Sequence, residues 1–226
     1  LGIALGGVLL EPVARNTTAA IAAAAVFAER QSGPDAVIHV LPNCTLNVVG
    51  CTFVSACGNL WEGISLPGVA SRLVMLNGVL RDAIHGVWSR NGGSFAIDGA
   101  LLRNNYVGMQ VEDFNGPAFP GSIRGTRFLQ GALVQQPLPQ PYSLYPNGYA
   151  GIRVRNVQNI TIGFPDLNPA TENLFVGMVY GIEAWRSRVE VYHNRFQNIV
   201  PPTLPVGVGV YCGVSSTGQM AFPANW

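Results

Sequence analysis

Along most of the chain, apolar and polar residues alternate in short runs, and the runs repeat. The template is apolar-x-apolar-x-turn-x-x-apolar-x-polar, where the turn residue is Gly, Asn or His. It reads Leu46, Val48, Gly50, Phe53, Ser55, then Leu73, Met75, Asn77, Leu80, Asp82. It returns as Phe95, Ile97, Gly99, Leu102, Asn104 and again as Val189, Val191, His193, Phe196, Asn198. Between these copies a Gly is followed by an apolar residue, at Gly63, Gly86, Gly108, Gly151, Gly181 and Gly207, at intervals of 23, 22, 43, 30 and 26. Period-2 alternation predicts strands, and a recurrence every ~20–30 residues predicts coils that stack into a solenoid. The interval of 43 accommodates one further coil, around Ile123-Arg-Gly-Thr-Arg-Phe128, and a long Pro-rich loop over about residues 129–150.

The expected fold is therefore all-β, a right-handed parallel β-helix spanning residues 43–226. Alternate apolar side chains point inward and stack as ladders, while outward positions are free to be polar. Asn77, Asn104, Asn105, Asn194 and Asn198 are expected at corners, where left-handed backbone suits Asn and Gly. A β-sandwich is the competing arrangement, and the regular coil spacing favours the solenoid.

Residues 1–42 read differently. They hold 10 of the 22 Ala, one Asn, and neither Trp nor Tyr. Asn16, Thr17 or Thr18 can cap a helix over Ala19–Arg30, and Ala36–Leu41 reads as a short buried strand after Gly33-Pro34. With the apolar run Leu1–Leu10, this predicts a short N-terminal strand–helix–strand segment ahead of the coils. No basic region precedes that run, so it does not read as a signal peptide, and the chain reads as an internal fragment.

Composition narrows the function classes. All 13 basic side chains are Arg, and with 12 carboxylates the net charge is +1, which supplies no field to steer nucleic acid or an anionic membrane. No run approaches the ~18 apolar residues of a membrane-spanning helix. Charged residues make up 11% of the chain, a share that suits stacked coils whose polar demand is met by backbone ladders and Asn turns.

Two segments resemble known families. Leu10-Glu-Pro-Val-Ala-Arg-Asn-Thr17, the Ala-rich helix and Ala36–Pro42 are similar to an internal piece of mannose-1-phosphate guanylyltransferases. By that resemblance Glu11, Arg15, Asn16 and Thr17 would lie near a nucleotide. The family's upstream phosphate loop is missing, Asn43-Cys44 stand where its metal-binding Asp is expected, and there is no Lys, so an inactive fragment is implied. Residues 43–226 resemble secreted bacterial β-helix proteins of the pectin-lyase-like fold. The resemblance is carried by Cys57–Ile64, Asp82–Val87, Gly92–Ile97 and Arg103–Met109. It implies a secreted or cell-surface setting, with polysaccharide or other surface glycans as partners.

Candidate chemistry is sparse. Glu112-Asp113 is the adjacent acidic pair, before a Pro/Gly loop, and would converge only where the strand ends. His85, in Ile-His-Gly, is a second catalytic candidate; His193 reads as a corner residue and His39 as a strand residue. Arg153 with Arg155, and Arg186 with Arg188, alternate as on strands and could form a cationic patch for an acidic polysaccharide. Tyr142, Tyr145 and Tyr149, in or beside the Pro-rich loop, are candidates for stacking on sugars, as are Trp61, Trp88, Trp185 and Tyr106. Cys44, Cys51, Cys57 and Cys212 lack zinc-site spacing. They read as inward thiols, with a Cys51–Cys57 disulfide as the alternative in an oxidising compartment. No metal site and no cofactor are expected. The functional expectation is a structural or glycan-binding segment, and the rival is a polysaccharide lyase or hydrolase.

Overall fold

The computed structural model describes residues 37–55, 60–116, 121–131, 148–166, 168–199 and 208–213. Its strands in chain order are β1 (Val37–His39), β2 (Thr45–Val49), β3 (Thr52–Phe53), β4 (Trp61–Leu66), β5 (Arg72–Leu76) and β6 (Val79–Arg81). They continue as β7 (Ala83–Arg90), β8 (Ser94–Asp98), β9 (Leu101–Arg103), β10 (Val107–Phe114), β11 (Gly121–Arg124) and β12 (Arg127–Leu129). The last are β13 (Ala150–Val157), β14 (Ile160–Ile162), β15 (Asn173–Val176), β16 (Tyr180–Trp185), β17 (Val189–Val191), β18 (Asn194–Gln197) and β19 (Val208–Gly213).

Every third strand pairs with its counterpart one coil away, always in parallel. One sheet runs β1-β4-β7-β10-β13-β16-β19, a second β11-β8-β5-β2, and a third β18-β15-β12-β9-β6-β3. β14 and β17 form a short fourth sheet. This is the parallel β-solenoid that the repeats predict, and the coil expected around Ile123–Phe128 is present as β11 and β12. The strand expected at 36–41 is present as β1, which pairs with β4 as Val37↔Gly63 and His39↔Ser65. The remainder of the N-terminal strand–helix–strand segment lies outside the described residues, as do Glu11, Arg15, Asn16, Thr17 and most of the 129–150 loop.

The repeat maps directly onto the core. Leu46, Leu73 and Phe95 share one register position, and Val48, Met75, Ile97 and Ile123 share the next inward one. The third sheet stacks Phe53, Leu80, Leu102, Phe128, Phe175 and Phe196. All these residues belong to, or pack against, one apolar core that runs along the axis. The corners form columns too. Gly50, Asn77, Gly99 and Gly125 have positive φ at one turn, and Asn91, Asp113, Asn156 and Arg186 at another. Asn and Gly tolerate this region because their short or absent side chains avoid the clash with backbone.

Buried Asn side chains close the coils where the backbone ladder is interrupted. Asn105 Oδ1 accepts the Ala83 N–H at 2.9 Å, and its Nδ2 donates to the Leu80 carbonyl. Asn173 Oδ1 accepts the Thr126 N–H, and its Nδ2 donates to Ile123 O and to Asn194 Oδ1. Corner polarity is thus internal, which is why so few charges suffice.

One detail of the repeat differs from expectation. Gly86, Gly108, Gly151 and Gly181 occupy matching steps of the first sheet, and the next residue at that step is Gly209, one position before Val210; Ile182 pairs with Val210. Gly63 is out of phase: it pairs with His85, and the register shifts between Gly63 and Ile64. Cys44 and Cys51 are free thiols packed against the core, as the inward reading expects, while Cys57 lies outside the described residues.

Candidate functional site

Most of the chemistry-bearing side chains converge on the outer face of the seven-stranded sheet. Pairing places Ser65, Trp88, Gln110, Arg153, Glu183 and Tyr211 in one row across six strands. Two residues further along each strand, Arg90, Glu112, Arg155 and Trp185 form a second row. Between the two rows lie Ser89, Val111, Val154 and Ala184, all buried, so strand alternation sends the two rows outward.

Both carboxylates are held by neighbours. Glu112 Oε1 accepts the Trp88 indole N–H at 2.7 Å, and Oε2 accepts Gln110 Nε2 at 3.0 Å. Glu183 Oε1 accepts the Tyr149 hydroxyl at 2.7 Å. Its Oε2 lies 2.7 Å from Arg153 Nε, a close charge pair that is poorly aligned as a hydrogen bond. The two glutamates are therefore drawn apart, Glu112 toward β7 and Glu183 toward β13.

The cations are less committed. Arg90 lies over the Trp88 ring at 4.2 Å and Arg153 over the Tyr149 ring at 5.1 Å. Arg90 and Arg155 flank Glu112 in register, yet among the described residues neither forms an ion pair within 4.0 Å. Gln110 is 6% exposed, and its Oε1 receives no hydrogen bond from the described residues. The acceptor-only Glu112 carboxylate fixes the amide with nitrogen toward it, and Oε1 is buried, so Gln110 serves as a support for Glu112.

Aromatic rings complete the face. Tyr106 stacks on Tyr149 with centroids 5.9 Å apart, Tyr149 meets Tyr180 edge-on at 5.3 Å, and Tyr180 lies 5.6 Å from Tyr211. Trp185 and Tyr211 are each 39% exposed, large apolar surfaces beside the polar rows. His85 is 2% exposed, with its ring 4.9 Å from that of Trp88. Burial, then the Arg153 and Arg90 charges, lower its pKa to about 4, so the imidazole is neutral at neutral pH. Burial, followed by the hydrogen bond to Glu183, pushes the Tyr149 hydroxyl well above its ordinary value and keeps it a donor.

The predicted residues divide clearly. His85, Glu112, Tyr149, Arg153 and Arg155 come together on this face. Asp113 stands at a corner with φ 59, where its Oδ1 accepts Asn156 Nδ2 at 3.0 Å, so it does not share Glu112's surroundings. Arg186 occupies the same corner column two coils on, with φ 50, and Arg188 precedes β17. The two are therefore not strand neighbours on one face, and Arg186 and Arg188 stand apart from Arg153 and Arg155. Tyr142 and Tyr145 lie outside the described residues. His193 takes a left-handed corner, as expected, with Nδ1 3.7 Å from Asp166 Oδ1.

Sequence reasoning passed over Arg90, Gln110, Glu183, Tyr180 and Tyr211. Part of the signal was present: counting two and four residues beyond Gly86, Gly108, Gly151 and Gly181 reaches Trp88, Gln110, Arg153 and Glu183, then Arg90, Glu112, Arg155 and Trp185, whereas Tyr211 lies two beyond Gly209 and not Gly207. Among the described residues no three His, Cys, Asp or Glu side chains gather to hold a metal, and no helix is long and apolar enough to cross a membrane.

No protein-family profile matches the chain, and no curated protein or solved structure is significantly similar to it. The parallel β-solenoid is supported by the structure alone, and it names a fold and not an activity; the pectin-lyase-like resemblance of residues 43–226 gains no support from these comparisons. The guanylyltransferase resemblance of residues 1–42 gains no support from these comparisons.

Proposed function

We propose that the protein is a glycan-binding solenoid of a secreted or cell-surface setting. It holds an acidic polysaccharide along the outer face of the seven-stranded sheet without cleaving it. The observation that carries this reading is the Arg90–Glu112–Arg155–Trp185 row. There two guanidinium groups lie either side of a carboxylate already occupied by Trp88 and Gln110, with an exposed indole at the end. Guanidinium groups suit carboxylate or sulfate substituents, and exposed Trp185 and Tyr211 suit the apolar faces of sugar rings.

The non-catalytic half of the reading is supported by the engaged carboxylates. Cleavage by paired acids needs one carboxyl to donate a proton and another to face the anomeric carbon or a water. Glu112 and Glu183 each face internal donors instead.

The test is titration of the purified protein with a uronate polymer, a sulfated polymer and a neutral glucan, followed by product analysis. Binding to an acidic polymer is expected, weakened about tenfold or more by Arg155→Ala or Trp185→Ala. Equal affinity for the neutral glucan, or no binding to any acidic polymer, overturns the reading. Release of unsaturated or reducing sugar, abolished by Glu112→Gln, revives the enzyme class.

A further inference from the structure

The outer face has a titratable group built beneath it. His85 is the buried histidine of the described core strands, and it sits on β7 three residues before Trp88. Trp88 is the hub of the face: its ring meets the His85 ring at 4.9 Å and lies under Arg90 at 4.2 Å, while its Nε1–H orients Glu112. Glu112 in turn orients the Gln110 amide. A change at His85 is therefore passed through one ring to Arg90, which would meet a ligand, and to Glu112 and Gln110 between the cationic residues.

The surroundings of His85 favour the neutral ring. Its own strand supplies Arg90, and β13 supplies Arg153, both cationic. The carboxylates of the neighbouring strands are Glu62 on β4, Glu112 on β10 and Glu183 on β16. Glu112 is held by Trp88 and Gln110, and Glu183 by Tyr149 and Arg153. Gly63 and Val107 pair with His85 through backbone and bring no charge. A proton taken up here creates a third cation in a desolvated place beside two others, and the state that hydrates the imidazolium gains against the packed one.

We propose that His85 is an acid-operated release for this face: on protonation the imidazole leaves its slot against Trp88, the indole loses its hold on Glu112, and the ligand rows come out of alignment. The ladder of Phe53, Leu80, Leu102, Phe128, Phe175 and Phe196 lies on a different sheet from His85 and keeps the coils stacked. The neutral packed state binds a proton with pKa about 4 and a hydrated histidine with the ordinary 6.5, so the release has its midpoint between those values. Protons and ligand then compete for the same two-state element, and acidification discharges the ligand while the solenoid stays folded. The ligand half of this inference rests on the glycan-binding reading; the switch itself does not.

The experiment follows Trp88 without any ligand. The indole Nε1–H resonance and the His85 imidazole resonances are recorded by NMR from pH 7 to 3.5, alongside far-UV circular dichroism. Expected is a shift of the Trp88 signal with the His85 midpoint, at unchanged β-sheet signal. His85→Gln removes the transition, and it holds affinity for the acidic polymer at pH 4.5 where the native protein is about tenfold weaker than at pH 7. A Trp88 signal that ignores the His85 titration overturns the proposal, as does a His85→Gln protein with the native acid profile. If no polymer binds at pH 7 but the Trp88 transition is present, the glycan reading fails and the switch stands.

Discussion

The rings of Phe128 and Phe175 lie parallel, with centroids 4.7 Å apart, one coil above the other. Phe196 continues the stack beyond Phe175 at 5.0 Å. Phe175 is fully buried between two rings, so its removal leaves a cavity that rigid, hydrogen-bonded coils cannot close. Phe175→Ala is expected to cost about 3–5 kcal/mol, and Phe175→Leu distinctly less. Urea unfolding of the three proteins checks this, and equal midpoints for all would show that the ladder does not hold the coils together.

The same stack explains the Gly step of the repeat. A Cβ added at Gly151 would stand 2.5 Å from Phe175 Cδ1 and 2.7 Å from the Gly181 carbonyl. Ring and backbone are both fixed, so neither yields cheaply. Gly151→Ala is expected to lower stability by about 1–3 kcal/mol. Gly68, whose added Cβ meets nothing within 4 Å, is the control, and Gly68→Ala should be close to neutral in the same melts.

Asn173 carries a different kind of debt to the fold. It accepts from the Thr126 N–H and donates to the Ile123 carbonyl and to Asn194, and none of it is exposed. Asn173→Ala leaves the buried Thr126 N–H unpaired, at a cost of about 1–3 kcal/mol, while Ile123 O keeps the Gly163 N–H. Asn173→Asp should be no rescue, because the carboxylate cannot donate to Ile123 O. Hydrogen exchange at the Thr126 amide is the direct readout: faster exchange is expected in Asn173→Ala, whereas Asn173→Asp keeps an acceptor for that amide and loses only the donations to Ile123 O and Asn194.

How far the sequence carries can be seen residue by residue. The inward ladders were legible because period-2 alternation and repeat spacing are the physical requirements for stacking coils: Leu46, Leu73 and Phe95, or Val48, Met75 and Ile97, are visible before any coordinate. The corners were legible at Asn77 and Asn104, whose residue type suits positive φ. They were illegible at Asp113 and Arg186, because alternation gives no sign of where a strand bends. That bend separates Asp113 from Glu112 and Arg186 from Arg155. Cross-coil neighbours such as Trp88–Glu112, 24 residues apart, depend on the register between coils. A phase error of two residues, as at Gly207 for Gly209, is enough to hide Tyr211 from the row it completes.

His85 makes the stability of the fold depend on acidity, and the sign follows from its burial. The folded pKa is about 4, below the unfolded 6.5, so between these values the unfolded chain binds more protons than the folded one. Stability therefore rises with pH across that window and is lost as pH falls through it. A displacement of this size corresponds to about 3 kcal/mol in full. Carboxylate protonation also acts in acid, but it is common to the native protein and to His85→Gln, so the difference between their melting curves isolates the histidine. Expected is a gap between the two proteins that shifts in favour of His85→Gln by up to about 3 kcal/mol from pH 7 to pH 4. A gap that stays constant over that range would mean His85 keeps the same proton occupancy folded and unfolded, contrary to its position beneath Trp88 and between Arg90 and Arg153.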